Sequence, residues 1–96
     1  MPAVARISDP FGCGDTIKSG SANVYANGIP VARLTDGTIG EGCWAPTIIA
    51  SGSGSVFVNG LPLARVGDAN VPHTCSSIPE THGSSISAGS PNVIAG

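Results

Sequence analysis

A seven-residue phrase occurs twice in this chain and constrains the fold more than any other feature. The phrase over residues 27–33, Asn-Gly-Ile-Pro-Val-Ala-Arg, returns over residues 59–65 as Asn-Gly-Leu-Pro-Leu-Ala-Arg, and a Gly-Ser-x-x-Val element precedes each copy. The Gly-Ser-x-x-Val element occurs a third time at residues 89–93, and the Ala-Arg element a third time at residues 5–6. Because internal repetition sets the architecture before any other signal, we expect three similar units.

The three copies are out of phase with the chain. The first unit is represented only by its tail, at residues 5–9, and the last only by its head, at residues 89–96. A third full unit therefore exists only if these two segments meet. We predict a closed, permuted ring with pseudo-three-fold symmetry.

Composition points to an all-β fold with a small core, in one domain over residues 1–96. Fourteen Gly and eight Pro interrupt the sequence too often for an amphipathic helix of ordinary length. Hydrophobic residues make up 41% of the chain, but only two Phe, one Tyr and one Trp are aromatic. A small domain of this kind usually needs a disulfide, a metal or a partner for stability, so we expect such a staple.

Each repeat predicts a β-hairpin around its Asn-Gly dipeptide, which suits the two left-handed positions of a type I′ turn. The predicted strands are residues 21–26 with 29–34, and residues 53–58 with 61–66. The third hairpin is split between residues 92–94 and residues 4–7.

Charge and the N-terminal segment exclude several classes of function. The net charge is −2 and no basic run is present, which argues against a nucleic-acid partner. Residues 1–6 lack the features of a signal peptide, and no run of 18 apolar residues could span a bilayer. We therefore expect synthesis in the cytoplasm. There, an odd count of three Cys favours thiol or metal chemistry over a disulfide framework.

Every Cys and His lies in the segments between predicted hairpins, residues 10–18, 37–50 and 69–87. A three-fold arrangement brings these segments together at one end, where thiolate and imidazole groups suit tetrahedral Zn²⁺, or Fe²⁺ with the same ligands. Five residues are candidates for the four ligand positions of such an ion. His73 and Cys75 stand at i and i+2 of one extended segment, and either of them could complete the site. The plainer alternative makes the cysteines small buried hydrophobes and the histidines surface residues. The candidate ligands are Cys13, Cys43, His73, Cys75 and His82.

Three repeated Arg-x-x-Asp elements and one Trp complete the set of notable positions. We expect each Arg to pair with the Asp three residues later and each Asp to bond the backbone of a turn. The alternatives are an anion-binding surface and catalytic acids. Trp44, beside Cys43, either shields a metal, marks a contact surface or packs ordinarily. The repeated pairs are Arg6 with Asp9, Arg33 with Asp36, and Arg65 with Asp68.

Together these motifs resemble PAAR-repeat proteins over essentially the whole chain. The family motif Pro-Ala-Ala-Arg is varied here at residues 30–33 and 62–65, and residues 73–75 and 82–83 resemble its His-x-Cys and His-Gly pattern. The resemblance implies a small cone with a pseudo-three-fold base and a zinc ion near its apex. It also implies that the base caps the trimeric β-helix of a spike, in a type VI secretion system or the baseplate of a contractile phage tail. Cys13 departs from the pattern, since many members carry His there.

The expected function is that of a non-enzymatic tip protein for membrane piercing, one chain per spike trimer. It would contact the target membrane transiently, take no small-molecule substrate, and lie on a phage tail spike or a secreted type VI spike. The repeats fill residues 5–96, which leaves no room for a toxin or adaptor extension. One alternative is a small zinc-binding adaptor that loads effector cargo. Another is a zinc hydrolase with Glu41 or Glu80 as general base beside Cys43 or His82, although catalysis would need an open coordination position.

Overall fold

The computed structural model describes residues 2–75 and 80–96, which form an elongated body of 38 × 23 × 22 Å. Only strands and turns occur in the described residues, which confirms the all-β prediction. No described helix has the length and apolar character needed to cross a membrane. The strands are β1 (Tyr25–Ala26), β2 (Ile29–Pro30), β3 (Phe57–Val58), β4 (Leu61–Pro62), β5 (His73–Cys75) and β6 (Glu80–His82), paired as β1–β2, β3–β4 and β5–β6.

The two Asn-Gly hairpins form as predicted, but their strands are shorter than expected. Asn27 and Gly28 have φ of 57° and 77°, the left-handed pair of a type I′ turn, and the second repeat has the same geometry. Beyond Pro30 the Val31 N–H still donates to the Val24 carbonyl of the same hairpin at 3.1 Å, and Val31 also pairs with Arg6 of the neighbouring unit. This second pairing joins the repeats to one another.

The Gly-Ser element forms a compact turn just before the first strand of each hairpin. The Oγ of Ser21 accepts hydrogen bonds from the backbone N–H of Asn23 at 3.2 Å and of Val24 at 3.0 Å, and Ser53 and Ser90 do the same in their repeats. Such local side-chain bonds compete with a strand ladder. The predicted strand over residues 21–26 therefore contracts to β1.

A closed ring of hydrogen bonds joins the three units at the centre. The N–H of Ala5 donates to the carbonyl of Ala64 at 3.0 Å, that of Ala64 to Ala32 at 3.0 Å, and that of Ala32 back to Ala5 at 2.9 Å. All three alanines are 0% exposed. This alanine ring is the pseudo-three-fold arrangement predicted from the repeats.

The split third unit closes across the two ends of the chain. Ala3 pairs with Ile94, in the register that Pro30 has with Tyr25 in the first hairpin. The N–H of Ala95 donates to the carbonyl of Pro2 at 3.0 Å. The prediction that residues 4–7 and 92–94 would share one unit is confirmed.

Two apolar clusters fill the interior. One packs among the hairpins, at what we call the hairpin end, and the other packs among the segments that join the hairpins. One contains hairpin residues such as Ala26 and Val58. The other contains the alanine ring and three equivalent isoleucines, and Cys13 packs against it. Each fully buried Ile contributes roughly 2 kcal/mol of apolar transfer free energy. The isoleucines, one from each unit, are Ile17, Ile49 and Ile86.

Ion pairs fix the turn that follows each Ala-Arg element. Asp36 Oδ2 accepts from the Nε of Arg33 at 2.9 Å and from the backbone N–H of the same residue at 2.7 Å. The other two pairs repeat this geometry. The bond to Asp36 raises the pKa of the Arg33 guanidinium above its ordinary value. The predicted structural roles of Arg and Asp are confirmed, with both groups engaged in local bonds.

Gly20 tests the packing within the first complete repeat unit. A Cβ there would lie 2.6 Å from the carbonyl oxygen of Val31, and that carbonyl already accepts from the Ser21 N–H. We expect Gly20→Ala to destabilise the protein by about 2 kcal/mol through overpacking, or roughly 10 °C in Tm for a domain of this size. A Cβ at Gly54 would meet no atom within 4 Å, so Gly54→Ala is the control and should change Tm little. Thermal unfolding of both variants by circular dichroism decides, and equal Tm values would contradict the tight contact.

Candidate metal centre

Four side chains from the three inter-hairpin segments converge beyond the second apolar cluster. One potential ligand atom from each of Cys13, Glu41, His73 and His82 lies within 4.8 Å of those of the other three. Cys13 comes from residues 10–18, Glu41 from residues 37–50, and both histidines from residues 69–87. The structure thus brings three of the predicted ligands together and adds a carboxylate.

The β5–β6 hairpin positions both imidazoles. His73 and His82 are directly paired across the two strands, and their Nε2 atoms lie 2.7 Å apart. The Nδ1 of His73 lies 2.6 Å from the carbonyl oxygen of Ala45. Since a carbonyl only accepts, Nδ1 carries the proton and the Nε2 lone pair faces the centre, as in metal-bound histidines.

A tight turn delivers the Glu41 carboxylate. The N–H groups of Glu41 and Trp44 donate to each other's carbonyls at 3.0 and 2.7 Å. Gly40, at φ +82°, begins this turn, and a Cβ there would lie 2.7 Å from the Trp44 carbonyl oxygen. The Gly40 N–H donates to the buried Asp15 carboxylate at 2.8 Å, which anchors the turn to the first unit.

The donor set fits a metal ion. Glu41 Oε1 is buried, accepts no hydrogen bond among the described groups, and lies 3.4 and 3.5 Å from the Nε2 atoms of His73 and His82. Two ligand atoms of a tetrahedral zinc ion lie about 3.3–3.8 Å apart, given bond lengths of about 2.0–2.3 Å. The two Glu41–His distances fall in this range, whereas the two Nε2 atoms, 2.7 Å apart, would have to separate by roughly 0.6 Å on binding. One thiol, two imidazoles and one carboxylate are also ligand types that zinc takes. A bound cation would neutralise the buried carboxylate and hold three chain segments together.

Trp44 covers the centre. Its ring stacks on His82 with centroids 3.6 Å apart and on His73 at 5.6 Å. The indole therefore packs on both imidazoles, although 31% of the His82 side chain stays exposed. The shielding of a metal by Trp44 stays a prediction.

The PAAR-motif family model matches this chain over residues 9–71 and again over residues 39–96. The chain belongs to the PAAR-motif family. The two matches overlap, as expected for a model of an internally repeated fold. A search of curated proteins returned no match.

Two predicted ligands of this PAAR-motif protein are placed differently. Cys43 and Cys75 form a disulfide with Cα atoms 5.1 Å apart, whereas the sequence analysis favoured thiol or metal chemistry for all three cysteines. The difference arises because the Glu41–Trp44 turn lies against β5, with Trp44 paired to Cys75. In the oxidised form the two sulfurs are not thiolates, so Cys13 is the thiol of the described centre. Ligation by Cys43 or Cys75, as members of the predicted set of four ligands from five candidates, stays a prediction that would require the disulfide to be reduced.

Glu41 is the residue that sequence reasoning missed as a ligand, because it entered only as a possible general base. The available signal was positional: residues 37–50 contain no His to match those of residues 69–87. In the structure the Glu41 carboxylate is itself one of the four potential ligands. The side chain of Glu80, the other proposed base, is outside the described part of the protein.

Cys13 gives a pH-dependent test of the metal-free centre. Burial, followed by its hydrogen bond to Glu41, raises the pKa of the Cys13 thiol. A raised pKa means that the reactive thiolate forms at higher pH than in an ordinary cysteine, so alkylation by iodoacetamide should be slow at pH 8 and accelerate above it. Glu41→Gln should shift the rate profile to lower pH, because it removes the negative charge. Mass spectrometry measures the rates, and a profile unmoved by Glu41→Gln would contradict this contact.

Proposed function

We propose that this protein is the structural tip of a contractile injection machine, where it caps the trimeric β-helical spike and sharpens it for membrane piercing. The observation that carries the proposal is a three-fold set of exposed apolar residues around the hairpin end. Tyr25, Phe57 and Ile94 occupy equivalent positions in the three units and are 57%, 58% and 57% exposed. Membership of the PAAR-motif family supports the same function.

The hairpin end offers a trimer three similar contacts from one chain. An apolar depression there is lined by residues from all three units, including Val31 and Leu63. A trimeric β-helix ends in unpaired strand edges around its own three-fold axis, and such edges need to be covered. We therefore propose one chain per trimer, with the hairpins continuing the β-helix by strand addition.

The metal centre supports the same proposal at the opposite end. The second apolar cluster lies between the hairpins and the four ligands, and the ligand-bearing segments have little apolar core of their own. A bound zinc or Fe²⁺ would supply cohesion there, because metal binding to a structural site contributes folding free energy. Four protein ligands leave no open position for a substrate, which favours a structural role over catalysis.

These features fit a protein made in the cytoplasm that leaves it on a spike. The host machine would be a type VI secretion system or a contractile phage tail, and contact with the target membrane would be transient. We propose that residues 1–96 form a single domain.

One observation favours the second candidate, an adaptor that loads cargo onto the spike. Ile39, Ile48 and Val71 are exposed outside the hairpin end. These residues lie on neighbouring paired segments. Ile48 pairs with Gly37, and the Ile48 carbonyl accepts a hydrogen bond from the Val71 N–H at 2.9 Å. A lateral apolar patch of this kind is available to a bound effector while the hairpin end is occupied.

The test is co-purification with trimeric β-helix fragments of a type VI spike and of a phage tail spike. Light scattering gives the stoichiometry of the complex, and elemental analysis gives its metal content. We expect one chain and one metal ion per trimer with one of the two spikes. Failure to bind either fragment would count against the capping role, whatever the metal content of the isolated chain.

A further inference from the structure

A short exposed segment covers the metal centre. Residues 40–46 supply the Glu41 carboxylate, the Trp44 ring over both imidazoles, and the Ala45 carbonyl that orients His73. Cys43 and Ala45 are exposed. We call residues 40–46 the cover segment.

Within the described residues, the cover segment meets the β5–β6 hairpin through a small set of identifiable groups. Its backbone bonds between Glu41 and Trp44 are internal, and the Gly40 N–H bonds Asp15 of the first unit. Toward β5 it has the Trp44 pairing with Cys75, the ring stacking, and the Ala45 carbonyl. The Cys43–Cys75 disulfide is the covalent link between these two parts of the described chain.

The disulfide lies within two residues of Glu41, Trp44 and His73 in the sequence. Cys43 is two residues after Glu41 and one before Trp44, and Cys75 is two residues after His73. His73 and Cys75 also share the buried face of β5, whereas Thr74 between them is exposed. Breaking the disulfide would therefore release the cover segment from the strand that carries a ligand.

We propose that the Cys43–Cys75 disulfide is a redox latch that positions the cover segment and so sets the affinity of the metal centre. This inference rests on the metal centre of the proposed function. With the disulfide formed, Glu41 and Trp44 are held at the two histidines and the ion is retained. With the disulfide reduced, the cover segment becomes mobile and the ion is released more readily.

The chemical step is a two-electron exchange with a dithiol. A thiolate of the dithiol attacks one sulfur of the disulfide, which forms a mixed disulfide and releases the other cysteine as a thiol. The second thiol of the reagent then attacks the mixed disulfide and releases the remaining cysteine. Cys43 and Cys75 become two thiols with two protons, and the dithiol becomes a disulfide. Cytosolic dithiol proteins supply this class of reductant, and oxidising compartments favour the reverse step.

Thermodynamic linkage makes the latch quantitative. We expect reduction to weaken zinc binding at least tenfold, in the range seen when groups that orient metal ligands are lost. By reciprocity, zinc must then make the disulfide at least tenfold harder to reduce. A tenfold effect corresponds to a fall of about 30 mV in the reduction potential of a two-electron couple.

The experiment measures zinc affinity of the full chain by competition with a chromophoric chelator, in the oxidised form and after reduction by a phosphine. The double variant Cys43→Ser/Cys75→Ser serves as a reduced form without thiolates. The latch predicts weaker binding in both. The reduction potential, measured with and without zinc, should fall by the linked amount, which a purely structural disulfide would not show.

Three results would overturn the latch. Equal zinc affinity in the oxidised and reduced forms would leave the disulfide without control of the centre, while the metal centre itself would stand. Tighter binding in the reduced wild type but not in the double variant would make Cys43 and Cys75 ligands. No zinc binding in either redox state would remove the metal centre, and the latch with it.

Discussion

We expect Phe57→Asp to weaken the proposed capture of a spike trimer by at least about 30-fold, and Ile39→Asp to leave it unchanged. Phe57 is 58% exposed at the hairpin end and Ile39 is 57% exposed outside it, so the two changes are matched in exposure and charge. Truncation of an aromatic anchor in an interface commonly costs about 2–4 kcal/mol, and a carboxylate at the same place adds a desolvation cost. Adding Tyr25→Asp should reduce the complex below detection, because it removes a second of the three equivalent contacts.

Size-exclusion chromatography with light scattering measures the complex, and circular dichroism checks that both variants are folded. If Ile39→Asp abolished binding and Phe57→Asp did not, the spike would contact the lateral patch. If Ile39→Asp instead lost a bound effector while it kept the spike, the adaptor function would be favoured.

We expect removal of a bound metal to lower Tm by roughly 20 °C at micromolar protein. A ligand present at 1,000 times its Kd stabilises the folded state by about 4 kcal/mol, and each kcal/mol moves Tm by about 4–8 °C in a domain of this size. A chelator that leaves the disulfide intact should therefore produce this fall, and added zinc should reverse it. Differential scanning calorimetry with and without zinc gives the shift.

His73→Ala should show little response of Tm to zinc, because it removes a ligand with a fixed tautomer. Thr74→Ala is the matched control, since Thr74 is the exposed neighbour on the same strand and should retain the full response. A His73→Ala protein that zinc still stabilised by the full amount would place the ion elsewhere.

The sequence predicted the parts of the fold that depend on local chemistry repeated three times. The Asn27-Gly28 dipeptide favours a type I′ hairpin turn, and its recurrence at Asn59-Gly60 defined the repeated unit. The out-of-phase ends then required closure, which the pairing of Ala3 with Ile94 provides. Strand length was predicted less well, because the Ser21 hydroxyl bonds Asn23 and Val24 instead of leaving the segment extended.

The candidate site was predictable in place but not in composition. The segregation of Cys and His located it, and three-fold convergence brought Cys13 to the two histidines. The choice between a thiolate and a carboxylate ligand depended on how the cover segment lies on β5. That contact joins residues 32 positions apart in the sequence, and no local pattern encodes it.

The alanine ring does not depend on where the backbone is cut. Ala5, Ala32 and Ala64 each bond the next unit, and the ring closes although no turn links residue 96 to residue 2. In the alignment of the repeated sequences, residues 96 and 1 fall at the Asn-Gly positions of the other hairpins. Joining these residues and opening the chain at Asn59-Gly60 would therefore yield a circular permutant with every ring bond retained. A fluorescent or affinity label could then be attached at any of three equivalent corners around the pseudo-three-fold axis of the protein.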